Sequence, residues 1–330
     1  MDEPPKTCAL CGKELDPEDK FCSRCGARIV DQTQIQEEGK ASEISTFALV
    51  QEAVGSLFNP SPVGPPPSSA VYRNRPPRPL TRYLIAAIIL TAFGLFAGYG
   101  EEWTRYLGLT IGGYAAPLAY LAWIFRSDRY EREPLSLVLY MFGWGALAGI
   151  LASILNAFVL PVFGVPGAAF VEEPLKILGV YLLSRRSEMG SELNDHLDGM
   201  VYGAAAGAGF AGLENLYYIL QMVMSGGVPA VAAILVRTAT SMGHIAWSAF
   251  VGRSMGLAKA LRGRSRLRDL IPGLMIAIPL HFLWNSLPPL LGLGTILPFI
   301  TYALTRQVDQ AIKDEEGWGY RFHAPDESMT

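Results

Sequence analysis

The chain has 330 residues, half of them hydrophobic, and a formal net charge of −3. That near-neutrality argues neither for nor against nucleic acid. All four cysteines fall between positions 8 and 25. This excludes the dispersed disulfide framework of a secreted scaffold and leaves the apolar part without any disulfide.

The first predicted element is a pair of knuckles, "CALCG…FCSRCG", in which Cys8, Cys11, Cys22 and Cys25 form two CxxC pairs, each followed by glycine. Four thiolates at this spacing suit one tetrahedral zinc. A segment this short has too little core to fold alone, so metal binding would supply its folding energy. Two structural disulfides are the alternative, and they would need an oxidising compartment. Residues 1–30 are therefore read as a zinc ribbon holding structural zinc. With few basic residues and Phe21 as its one aromatic, it suits docking to a protein partner better than nucleic-acid binding. The first 30 residues hold no apolar run of the length a signal peptide requires.

Residues 31–80 read as a Pro-rich cytoplasmic linker, extended and semi-rigid. Inside it, "EISTFALVQEAVGSLF" places Ile44, Phe47, Val50, Val54 and Leu57 on one helical face, to lie on the membrane surface or dock a partner helix. A transient helix in a disordered tether is the alternative.

Apolar blocks then follow over 83–100, 107–125, 135–160, 165–183, 197–224, 228–252, 270–286 and 288–304. Each approaches the length that crosses about 30 Å of hydrocarbon. Arginines and lysines crowd before the first block and after the second, fourth and sixth, while the intervening loops contain only Arg105. That alternation predicts an even count with both termini cytoplasmic. The fold class is thus an all-α polytopic membrane protein of about eight transmembrane helices with a small N-terminal zinc ribbon. Residues 81–305 form the membrane domain and 306–330 a cytoplasmic tail. The last two blocks could instead form a re-entrant hairpin, and a seven-span count would put the C-terminus outside.

Polar residues inside these blocks are few: Glu172, Glu173, Lys176, Glu214, Asn215, Arg237, His244, His281 and Asn285, on the fourth to seventh blocks. At about 1.5 Å per helical residue, most lie in one slab of the outer half, with His244 deeper at roughly 24 Å. Isolated charges are costly there, so they should converge on a shared, hydrated cavity. Glu172 and Lys176 are i, i+4 neighbours, suited to local pairing, which leaves Glu173 to face the cavity. Pro174 is best placed in a first helical turn. His281 and Asn285 share a stripe and could both donate to a developing oxyanion. Around Glu214, "YGAAAGAGFAGLEN" is a run of small residues that admits close helix approach. The same groups could instead be a structural ion-pair network.

"EEPLK" matches an EExxK motif and "FAGLE" an FxxxE motif; His244 follows in the next span and "HFLWN" ends the series. The ordered set resembles the PrsW family of intramembrane proteases, related to the CAAX-processing and bacteriocin-immunity membrane proteases. Residues 126–146 and 195–210 also look like that family, and the resemblance covers roughly 115–287.

It implies cleavage of a membrane-anchored protein substrate, typically the first cut in an anti-sigma-factor cascade, by an enzyme of the cell membrane. Glu172 and Glu173 are then the catalytic carboxylates, with Glu214, His244 and His281 completing the site. Asn285 stands where the family often has aspartate; an amide is no anionic metal ligand but can serve as an oxyanion donor. This favours a mechanism without catalytic metal, in which a glutamate, Glu172 or Glu173, activates water. A zinc-activated water held by His244, His281 and a glutamate is the alternative. A non-catalytic receptor or scaffold with a polar ligand pocket, and a transporter, are the remaining readings.

Overall fold

Long apolar runs bounded by Gly, Pro and charged clusters satisfy their backbone internally only as helices when water is absent. The computed structural model describes residues 45–64, 80–98, 100–130, 132–186, 190, 192–225, 227–262 and 264–318, and every regular element among them is helical. The ribbon cysteines Cys8, Cys11, Cys22 and Cys25 lie outside the described residues. The principal helices are α1 (Thr46–Ser56), α2 (Leu80–Gly98), α3 (Glu102–Ser127), α4 (Leu135–Phe163), α5 (Ala169–Ser184), α6 (His196–Leu220), α7 (Ala230–Arg262), α8 (Ile271–Ser286) and α9 (Leu297–Gly317). Gly164, at φ 68°, ends α4 in the left-handed region that favours glycine, and the 3-10 turn Val165–Ala168 leads into α5.

Each of the eight apolar blocks is helical over most of its length. Among the described residues, three segments are both long and apolar enough to cross a membrane: Glu102–Ser127, Leu135–Phe163 and Leu267–Ser286. The others fall short for visible reasons. Helix α5 has 16 residues, α6 is rich in Gly and Ala, and α7 carries Arg237, His244, Arg253 and Lys259. Along α4 the large side chains Leu139, Leu147, Ile150, Ile154, Phe158 and Val162 are exposed. A helix so apolar on its open side needs lipid, not water, around it.

The centre of the fold is the α6–α7 pair, and small residues make it. Gly199, Gly203 and Gly207 recur every four residues along α6, where an added Cβ would meet the carbonyls of Gly252, Ser248 and His244 on α7. Backbones this close bring α7's polar side chains against α6. Asp195 caps α6 through a reciprocal box: its Oδ1 accepts from Leu197 N at 2.7 Å, and Asp198 Oδ2 accepts from Asp195 N at 2.9 Å.

Two segments outside the apolar blocks are ordered against the bundle. On α1 the buried side chains are Leu49, Ala53 and Ser56, with Leu57 at the C-cap, whereas Phe47 and Val54 are exposed. The docked stripe is the one that carries small residues and Glu52, because Glu52 pairs with Arg253 at 2.8 Å and Ser56 Oγ accepts from Gln307 at 2.9 Å. The segment is a docked helix. Helix α9 also runs unbroken past residue 305 to Gly317, held by Trp318 Nε1 donating to the Val63 carbonyl at 2.8 Å and by Glu316 accepting from Tyr130 at 3.0 Å. Burial and the Glu316 carboxylate push the Tyr130 hydroxyl up to about 12.

Candidate active site

Helices α4, α5, α6, α7 and α8 converge on one buried polar cluster. From α5, Glu172, Glu173 and Lys176 are all buried, with Lys176 fully so. Pro174 sits in the second turn of α5, not the first, because the helix begins at Ala169.

The pairing within α5 is the reverse of the expected one. Lys176 Nζ donates to Glu173 Oε1 at 2.6 Å, an i, i+3 contact, while Glu172 Oε1 accepts from Asn156 Nδ2 of α4 at 2.9 Å. Glu172 therefore keeps Oε2 buried and without a hydrogen-bond partner. Facing it at 3.8 Å is His281 Nε2 of α8, whose Nδ1 lies 2.6 Å from Glu173 Oε1. A carboxylate accepts only, so Nδ1 carries the proton and Nε2 offers its lone pair to the Glu172 side. Trp247 stacks on the His281 ring at 4.3 Å and 12°, which holds its plane.

His244 completes the cluster from α7. Its Nδ1 is 3.2 Å from Lys176 Nζ and its Nε2 is 2.7 Å from Glu214 Oε2. Lys176 has only donors, so Nδ1 accepts and the proton sits on Nε2. The larger depth expected of His244 does not hold. Helix α7 has 33 residues, about 50 Å, and a helix that long tilts or protrudes, so counting from its first residue overstates depth. At the edge, Arg237 pairs with Glu214 at 2.5 Å and donates to Asn215 Oδ1 at 2.9 Å. Glu214 is the most open of the carboxylates, with a side chain 20 % exposed.

Glu172, Glu173, Glu214, His244 and His281 are thus brought together. Asn285 is not: one turn along α8 from His281, its Nδ2 points to the Val165 carbonyl at 3.4 Å. Asn156 and Trp247 escaped the sequence reading. An asparagine on the third block was a detectable signal; the ring stacking was not.

Ligand-type atoms of Glu172, His244 and His281 lie within 4.8 Å of one another. Two features decide whether a metal fits. The buried Glu172 Oε2 lacks a partner, and three carboxylates face only two fixed cations, Lys176 and Arg237. Two imidazoles and a carboxylate form a zinc-type donor set, and Glu173 behind His281 is the outer carboxylate that such ligands usually have. The residues fit. A second group, Asp128, Glu133 and Asp198, also sets three carboxylates within 4.8 Å of one another, and there Tyr202 donates to Glu133.

Carboxylates and imidazoles converging among helices of membrane length define a buried acid–base site of the kind an intramembrane hydrolase requires. The family model described as PrsW family intramembrane metalloprotease matches residues 133–305, and the chain belongs to that family. It is an intramembrane peptidase. A zinc-ribbon domain matches residues 7–29. Protease PrsW of Geobacillus kaustophilus (strain HTA426) is 29% identical over 221 residues, 64% of this chain and 83% of the relative. Protease PrsW of Bacillus subtilis (strain 168) is 26% identical over 201 residues, covering 58% and 88%. No solved structure matches the chain.

Proposed function

We propose that the chain is a metal-dependent intramembrane endopeptidase that cuts a membrane-anchored protein, such as an anti-sigma-factor-like regulator, at the Glu172–Glu214–His244–His281 cluster. The observation that carries this reading is the convergence of Glu172, His244 and His281 ligand atoms within 4.8 Å. These three residues would hold a zinc-class ion. When bound, such an ion supplies Lewis-acid polarisation of the scissile carbonyl and makes water more acidic.

The chain's own residues supply the rest. Asn156 fixes Glu172, and Lys176 with Glu173 fixes the tautomer and ring position of His281. Glu214, the carboxylate with access to water, takes the proton of the attacking water and returns it to the leaving amide nitrogen. Arg237 holds Glu214 in reach of His244. The metal-free alternative, with Glu172 Oε2 as base, draws on the same unpartnered oxygen. It finds no oxyanion donor in the expected pair, since His281 Nδ1–H is turned to Glu173 and Asn285 Nδ2 faces the Val165 carbonyl outside the cluster.

The eight-span arrangement with both termini cytoplasmic is proposed from the arginine alternation, with residues 81–305 as the protease domain. The ribbon at 1–30 binds structural zinc through Cys8, Cys11, Cys22 and Cys25 and docks a protein partner on the cytoplasmic side. A co-expressed single-span substrate tests the activity: Glu172→Gln and Glu173→Gln should abolish its cleavage while the protein stays in the membrane. Full cleavage by both variants would refute the assignment.

A further inference from the structure

Helix α1 has two faces, and the fold uses one of them. Leu49, Ala53 and Ser56 face the protein body, where Glu52 meets Arg253. Opposite them, Phe47 is 70%, Val54 44% and Phe58 62% exposed. At 3.6 residues per turn, these three fall within about 40° of one line. No charged side chain shares that line. Phe58 lies just past the C-cap, with its ring 5.7 Å from the ring of Phe299. Phe299 belongs to the apolar first turns of α9, one turn before the exposed Tyr302. The stripe therefore continues directly into the outward-facing apolar surface of the helix bundle. A free apolar face on a polar, cytosol-facing helix would be a liability in water; one that merges with the bundle's apolar surface has a natural occupant.

We propose that the Phe47–Val54–Phe58 stripe is immersed in the cytoplasmic leaflet, so that α1 is an interfacial helix wedged between acyl chains and helices α7, α8 and α9. Its partner is phospholipid. The amphipathic division fits that role: a mainly apolar line outward, with the uncharged Gln51 at its edge, and an ion-paired, small-residue face inward. The proposal rests on the orientation given above, which puts α1 on the cytoplasmic side, and not on the assignment of proteolysis.

Photocrosslinking tests it. p-Benzoylphenylalanine is placed singly at Phe47, Val54 or Ala48 in the full chain, which is reconstituted in phosphatidylethanolamine–phosphatidylglycerol vesicles containing a labelled phospholipid. Ala48 is exposed but lies about a quarter-turn off the stripe. The expected result is a lipid adduct at Phe47 and Val54, several-fold stronger than at Ala48. Three results would overturn the proposal: equal yields at all three positions, no lipid adduct, or an adduct with a second copy or with ribbon peptides. Protease protection of the N-terminal tail in the same vesicles reports orientation separately, and neither readout depends on substrate cleavage.

Discussion

Asn156 offers the sharpest perturbation of the site, because it touches one oxygen of one carboxylate. Its Nδ2 donates to Glu172 Oε1 at 2.9 Å, and Asn156 is itself nearly buried, so Asn156→Ala leaves that oxygen with no replacement from solvent. A hydrogen bond to a charged acceptor contributes about 1.5–3 kcal/mol. At about 1.4 kcal/mol per decade, that corresponds to roughly ten- to a hundred-fold. The loss should fall on kcat for cleavage of a reconstituted single-span substrate, with KM nearly unchanged, since Asn156 positions Glu172 and is not placed to touch substrate. Metal affinity should weaken by about ten- to a hundred-fold, the usual effect of losing an outer partner of a ligand. Asn156→Asp should be worse than alanine, because it sets a second carboxylate against Glu172. Wild-type kcat and metal affinity in Asn156→Ala would refute the reasoning that Glu172 needs external positioning.

Other outcomes follow from the same geometry. Lys176→Met removes the cation from beside Glu173 and His244, and should abolish cleavage even in protein that remains folded by thermal-shift assay. Gly207→Val sets a side chain against the His244 carbonyl; it should both lower the melting temperature and abolish activity, whereas Gly143→Ala, in open space, should change neither. Glu52→Ala leaves Arg253, 2% exposed, without its carboxylate. The cost should be about 1–3 kcal/mol, less than for a fully buried pair because Glu52 is partly exposed. It should show as faster proteolysis around residues 46–56.

How much of this was legible beforehand depends on what each signal measured. The polar residues among apolar blocks marked the site because burying a charge is costly whichever way the helices pack, and Glu172, Glu173, Glu214, His244 and His281 do lie together. The detail inside that set was not legible. Helical spacing allows Lys176 to reach either i−3 or i−4; His281, arriving from more than a hundred residues away, shares the Glu173 oxygen and decides the choice. Asn156 was overlooked because one amide in a long apolar block resembles ordinary interhelical packing until its acceptor is known. Asn285 sits on the expected stripe, yet one helical turn carries it beyond the cluster to Val165. On α1 the spacing marks an amphipathic helix but not which face docks; the small residues and the Glu52–Arg253 pair decide that.

Metal content of the purified full chain tests the central claim most directly. With the ribbon intact, the account predicts two zinc-class ions per wild-type chain, one in the ribbon and one at Glu172, His244 and His281. Glu172→Gln and His281→Ala should each keep the ribbon ion and lose the other. A wild-type chain that cleaves substrate with metal in the ribbon alone, or variants that lose activity without losing metal, would contradict it.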